Sequence, residues 1–392
     1  MTEMKSVPRR GFSHEEFELR AERARKLLTA SQLDALFVTT EPNIRYFSGF
    51  DSQFWASPTR PWFVVVPREG LPIAVIPEIG ERGMAATWIR DIRTWPAPQP
   101  EDDGVSLLAD TLSSVSRRFG RIGAELGHET QLRMPANDFL RVRQAISPLE
   151  IADATSVLRT LRGLKSESEI AKIRYVCQIT SAAYEALPGK LKLGDTERDA
   201  CRKMRVDVLE RGADSSPYLV GVSGEGGYDN IIMGPTDRVI REGDILIIDT
   251  GTTFDGYYCD FDRNYAFGRP SDEARRAHEI VYDATDAGIA AARPGATTTE
   301  VWRAMMQILE AGGSIRNNVG RLGHGLGMQL TEWPSNKLGD DTEIFPGMVL
   351  TIEPGMEFAP GKMMVHEENI VITESGAELL TRRAPPQMPV ID

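Results

Sequence analysis

The chain has 392 residues, of which 41% are hydrophobic and 26% charged, with a formal net charge of −12. That length exceeds one typical core and predicts two domains, while the acidic excess argues against nucleic acid or an anionic membrane as partner. Cys177, Cys201 and Cys259 are odd in number and lack metal spacing, so they read as reduced thiols of a cytoplasmic protein.

The N-terminal stretch MTEMKSVPRRGFSHEEFELR has no apolar core of a signal peptide, and no run approaches a membrane span. Residues 1–155 read as a small α/β domain. A helix from about His14 to Ser31 carries apolar positions at Phe17, Leu19, Ala24, Leu27 and Leu28 and runs into the strand DALFVTT. EPNIRYFSGF follows, then PWFVVVP and PIAVIP, two apolar strands split by the turn REGL, and RIGAEL predicts a further strand.

Residues 156–392 read as a second, larger domain. Ser166 with Glu169 three residues on forms a capping box, opening a helix that runs to about Leu187, where ProGly stops it. Helices near 196–211, 272–292 and 298–312 then alternate with strand pairs. This order predicts an α+β fold, a curved antiparallel sheet with helices packed on its outer face.

One strand pattern occurs twice. Residues 243–251 read GDILIIDTG and residues 347–355 read GMVLTIEPG, which predicts a domain of two related halves. Each β-branched run ends in a carboxylate, Asp249 or Glu353, and each is followed by a second acid, Asp260 or Glu367. Burying such acids alone costs several kcal/mol or more, and four of them converging on one sheet repel one another unless cations intervene. A two-metal site is the economical solution.

A turn at Asp255 and Gly256 places Asp249 opposite Asp262 and diagonal to Asp260, on one face. In the second pair a simple turn at Pro360 and Gly361 would send Glu353 and Glu367 to opposite faces, so a longer loop or a bulge is expected there. His324, in GHGLG, is a candidate fifth ligand, with bare glycines that allow a close backbone approach to metal or substrate.

These residues in this order resemble the creatinase, prolidase and aminopeptidase P family, the M24-type metallopeptidases. EPNIRYFSGF resembles the family's N-terminal domain, LRGLKSESEIAKIR its interdomain helix, and PTDR with GDILIIDTG its C-terminal domain. The resemblance implies the pita-bread fold, a homodimer, and two divalent metal ions such as manganese, cobalt or zinc. Asp249, Asp260, His324, Glu353 and Glu367 match the family's five ligands position by position. By the same analogy a hydroxide between the metals is the nucleophile, with Glu353 or Glu367 as proton acceptor and Glu353 the better candidate.

The chain departs from the family where its peptidases usually carry substrate-binding residues. Ile232 and Thr331 stand where they usually have histidine, Val365 where many have arginine, and Asp262 where threonine is usual. Replacement groups are sought in Tyr228 and Asp229 of the loop GGYDN, in Glu332 and Trp333, and in His366. Trp55, Arg60 and Trp62 of FWASPTRPW are further candidates for a substrate carboxylate or cation, reached across the dimer. The leading reading is hydrolysis of a C–N bond in a dipeptide-like substrate of Xaa-Pro type. The rivals are a lyase or hydrolase acting on a small zwitterion, and a catalytically silent interaction module on the same fold.

Overall fold

The computed structural model describes residues 6–316 and 320–392; the first five residues of the N-terminal stretch read above for a leader lie outside them. Two compact units result, one holding Arg9–Arg162 and the other Gly163–Asp392 with residues 6–8. Among the described residues no helix is long and apolar enough to cross a membrane.

The N-terminal unit is a six-stranded mixed sheet. Strands β1 (Ala35–Val38), β2 (Phe63–Pro67), β3 (Ile73–Pro77), β4 (Asp91–Trp95), β5 (Arg121–Ala124) and β6 (Glu150–Asp153) lie in the order β4-β3-β2-β1-β5-β6. β1 and β2, and β2 and β3, pair antiparallel, the latter across the short turn at residues 68–72, and the remaining pairs are parallel. The helix His14–Ala30 begins at Ser13, whose hydroxyl accepts from the Glu16 amide at 3.2 Å. Phe17, Ala21, Ala24 and Leu28 face the core at helical spacing, which turns Leu19, one of the expected core positions, into solvent at 57% exposure.

In the second unit Ser166 caps helix α1 (Glu167–Ala186), with both bonds of the capping box formed. Strands β7 (Ser215–Glu225), β8 (Asp244–Phe254) and β9 (Phe261–Phe267) follow as an antiparallel set. Asp255 and Gly256 between them have φ of 50° and 82°. Positive φ at both centres gives the mirror-image turn whose twist suits a hairpin. The register is the expected one, with Asp262 directly opposite Asp249.

The second half repeats the plan after helices α2 (Asp272–Ala291) and Thr298–Ala311. Strands β10 (His324–Gly325), β11 (Val349–Ile352) and β12 (Glu368–Thr373) pair in the order β10-β11-β12. The hairpin Gly355–Ala359 with Lys362–Val365 shifts register between Glu357 and Ala359. This bulge is the irregularity the sequence requires: with Ile352 opposite Glu368 and Gly355 opposite Val365, Glu353 and Glu367 flank the same opening in the ladder. Ile245 and Ile247 of β8, Ala277 and Val281 of α2, and Leu350 and Ile352 of β11 belong to one apolar cluster, so both half-sheets share a core. The hydroxyl of Tyr184 in α1 donates to the carbonyls of Ile248 and Phe261, at 2.9 and 2.8 Å, fixing the helix on the β8–β9 pair.

Ser166→Ala removes one half of the capping box, and unfolding in urea is expected to show a loss of about 1 kcal/mol. An unchanged midpoint and slope would show that α1 is held by packing alone.

Candidate metal centre

The expected ligands come from five places on the two half-sheets. Asp249 is the sixth residue of β8, Asp260 lies where the β8–β9 ladder is interrupted, His324 opens β10, and Glu353 and Glu367 flank the break in the second ladder. One donor atom each from Asp260, His324 and Glu367 lies within 4.8 Å of the others, and the Nε2 of His324 stands 3.5 Å from the Oδ2 of Asp260. Asp249 and Glu353 stand outside that trio, yet their charges act on Asp260 and Glu367. Asp249, Asp260 and Glu367 are buried, whereas Glu353 retains some exposure.

Burial pushes the Asp249 carboxyl up to about 7, with the Asp262 charge adding to it and the Tyr218 hydroxyl opposing. Burial, then the charge of Asp249, raises Asp260 and Glu353 well above the carboxylate range. Glu367 is raised likewise by burial and by Asp260. Among the described residues, Asp249 Oδ1, Asp260 Oδ1, Asp262 Oδ1 and Glu367 Oε1 are buried without a hydrogen-bond partner. Orphaned acceptors of this kind, all carboxylate, suit a hard divalent cation.

The histidine fits the same purpose. Its Nδ1 lies 2.9 Å from the Gly325 carbonyl, which places the proton there and makes Nε2, 3.5 Å from the Oδ2 of Asp260, the lone-pair nitrogen of the ring. Asn369 clasps the Asp260 backbone, its Oδ1 accepting from the Asp260 amide at 2.9 Å and its Nδ2 donating to the Asp260 carbonyl. Sequence reading passed over Asn369 and Tyr218; the signal for Tyr218 was an aromatic on the strand beside β8. The flanking glycines serve a different end from the expected one: a Cβ on Gly323 would collide with the Thr351 carbonyl, and one on Gly325 with the Trp333 carbonyl. They allow neighbouring backbone to close up around His324.

The candidate substrate residues scatter. Tyr228 is buried, its hydroxyl donating to Asn264 Oδ1 at 3.0 Å and accepting from the Val365 amide at 2.8 Å, so its donor is committed to the scaffold. Asp229 is exposed and accepts from the Asn230 amide group. Glu332 pairs with Lys165 at 3.2 Å, with both side chains nearly inaccessible, and Trp333 packs against the shared core. His366 does not join Glu367 but lies against Tyr282 of α2. Ile232 is 78% exposed, Thr331 is half-buried, and Val365 is buried. Trp55 and Arg60 belong to the N-terminal unit, where Trp55 packs on Trp62 at 5.9 Å between ring centroids and Arg60 lies over the Phe54 ring. Their loop is tied down by Arg133, which donates to the carbonyls of Phe54, Ser57 and Arg60.

With this geometry in view, residues 171–374 match the model of metallopeptidase family M24, and residues 20–164 that of the creatinase/prolidase N-terminal domain. The chain belongs to family M24. Over 370 residues it is 30% identical to a probable dipeptidase, PepE, of Mycobacterium tuberculosis, covering 94% of this chain and 95% of that one. An Xaa-Pro dipeptidase of Pyrococcus furiosus is 27% identical over 366 residues, or 93% and 97% of the two chains. The crystal structure of dipeptidase PepE from Mycobacterium ulcerans superposes with a TM-score of 0.84 at 26% identity, covering 97% of this chain and 99% of that one. The fold is accordingly the creatinase-like N-terminal domain followed by the pita-bread domain, and this M24 chain is a metallopeptidase-family enzyme whose family depends on metal.

The raised carboxyls set a pH test for the metal-free enzyme. Folding holds extra protons on groups such as Asp249 between its ordinary 3.8 and about 7, so stability is full below that window and falls as pH rises through it. Thermal unfolding of chelator-treated protein is expected at lower temperature near pH 8 than near pH 5, and added manganese(II) is expected to raise it more at the higher pH. A metal-induced shift equal at both pH values would sink this account.

Proposed function

We propose that the chain is a dinuclear-metal hydrolase that cleaves the peptide bond of Xaa-Pro dipeptides or close analogues. The observation that carries the reading is the meeting of the buried carboxylates of Asp260 and Glu367, each with an oxygen that has no hydrogen-bond partner, with the ring of His324. Asp249, Asp260, His324, Glu353 and Glu367 would hold two divalent ions, with manganese, cobalt and zinc as candidates. When bound, such ions polarise the scissile carbonyl and make an attacking water acidic enough to react near neutral pH.

The chain's own residues do the rest. Glu353, raised in proton affinity and still in touch with solvent, accepts the proton of the attacking water and passes it to the departing proline nitrogen. Asn369 and the Gly325 carbonyl keep Asp260 and His324 oriented while this happens. The homodimer and the cytoplasmic location expected from the sequence belong to the same proposal, as does the dipeptide substrate, which the named relatives support.

A second reading rests on Val365, a buried apolar side chain where the peptidases' arginine is usual, and on Ile232, which offers no donor. These substitutions favour a small zwitterion, processed by a hydrolase or a lyase at the same centre.

Incubation of manganese-loaded enzyme with Xaa-Pro dipeptides is expected to release free proline, and exhaustive chelation to stop it. Metal-loaded enzyme that leaves Xaa-Pro dipeptides intact but releases an alkene from a small zwitterion would overturn the first reading in favour of the second. Glu353→Gln is expected to lower kcat by about 10²–10⁴-fold with little change in KM. A comparable kcat in that variant would remove Glu353 from the proton-transfer role.

A further inference from the structure

Residues 366 and 367 are neighbours with different destinations. Glu367 joins Asp260 and His324, whereas the fully buried His366 stacks on Tyr282 at 5.9 Å between centroids and accepts at Nε2 from Arg383. On that side lies a cavity of about 250 Å³, lined by residues of α1, β9, α2 and the segment 382–389, among them Tyr184, Tyr265, His278, His366 and Arg382. It runs from the exposed Glu185 at its rim to His278 and His366, both all but inaccessible.

We propose that this cavity is a binding site for a small organic carboxylate with a ring-sized apolar body. One ordered water needs only about 10–15 Å³ of such space, so the cavity is far larger than a one-water niche. The rings of Tyr184 and Tyr265 with Pro188, Pro385 and Pro389 supply apolar wall for the body.

Two donors stand ready for the carboxylate. Arg382 gives its Nε to Gln178 at 3.0 Å and its Nη1 to Glu185 at 2.6 Å, leaving Nη2 without a protein acceptor among the described residues. Glu185 is 57% exposed, and an ion pair in that setting is worth little, so a ligand anion can replace it. His278 is 3% exposed, lines the cavity, and makes no hydrogen bond through either ring nitrogen. Burial first, then His366, push the ring down to about 3 against the opposing pull of the Pro385 carbonyl, so it meets a ligand as a neutral imidazole with one N–H.

The other cations of the wall are committed. Arg263 donates to Glu368 and to the carbonyls of Asp262, Glu367 and Arg382, and Arg383 to Glu368, Asp286 and the Tyr282 carbonyl. Glu368 accepts from Arg263, Arg383 and the Thr381 hydroxyl. Glu368 is therefore a fixed anion that anchors the two guanidiniums, and Arg382 with His278 remains to read a ligand.

Calorimetric titration of metal-loaded enzyme with sodium benzoate tests the proposal, with inorganic phosphate as the anion lacking an apolar body. Saturable benzoate binding is expected, with phosphate and the Arg382→Gln variant each weaker by about tenfold or more. His278→Phe, which removes the ring N–H, is expected to weaken it by about tenfold or more, and Asp260→Asn, which damages the metal centre instead, to leave it within about twofold. Absence of saturable binding, equal affinity for phosphate, or indifference to Arg382→Gln would overturn the proposal. So would loss in Asp260→Asn, because benzoate would then be a ligand of the metals. Arg382 is a partly exposed side chain, so that variant answers even if His278→Phe does not fold.

Discussion

Carboxylates brought together out of water repel one another, and in the second unit this constraint governs the fold as much as the chemistry. Asp249, Asp260, Glu353 and Glu367 each carry a raised proton affinity, with burial as the first cause and a neighbouring acid as the second. No amount of apolar packing around them relieves that repulsion; it is relieved by protons or by cations. A family that depends on metal has the means to satisfy it, and the orphaned oxygens at the centre mark where the charge is needed.

The scaffold reaches this state by counting residues. In the first half, a two-residue turn with both centres at positive φ sets Asp249 across from Asp262. In the second, the turn at Pro360 and Gly361 has the wrong parity, and a bulge after Glu357 restores it. Since side chains alternate along a strand, one residue of slippage would send a ligand to the other face. Glycines on both sides of His324 complete the arrangement by letting the backbone of adjacent strands close on it.

Around the centre, charge is handled differently on its two sides. Toward the centre, Asp249, Asp260 and Glu367 each keep one buried oxygen without a hydrogen-bond partner. Behind them, Glu368 is surrounded by Arg263, Arg383, Thr381 and His366 and is held as an anion. His366 faces Asp262 at 3.7 Å from its Nδ1. The second side is thus a neutralised network with a cavity beside it, and its polar groups serve the scaffold or a separate ligand rather than the scissile bond.

The pattern of alternating helices and strand pairs, the capping box at Ser166, the turn at Asp255 and the order of the acids are local, and each was legible because a short segment dictates its own geometry. The bulge was legible too, since parity alone demands it. The substrate candidates were not: Tyr228, Glu332 and His366 look free in a linear string, but their partners Asn264, Lys165 and Arg383 lie 36, 167 and 17 residues away. Leu19 likewise fits an apolar stripe until the packing of Phe17, Ala21, Ala24 and Leu28 fixes which way the helix turns. By itself the sequence determined the two-half plan, the family and the residues that bring negative charge to the centre, because strand periodicity and turn chemistry act over a few residues. Only the tertiary structure decided which polar side chains are spent on the scaffold and which stay open, because hydrogen-bond partners and burial are set by chain segments that meet only after folding.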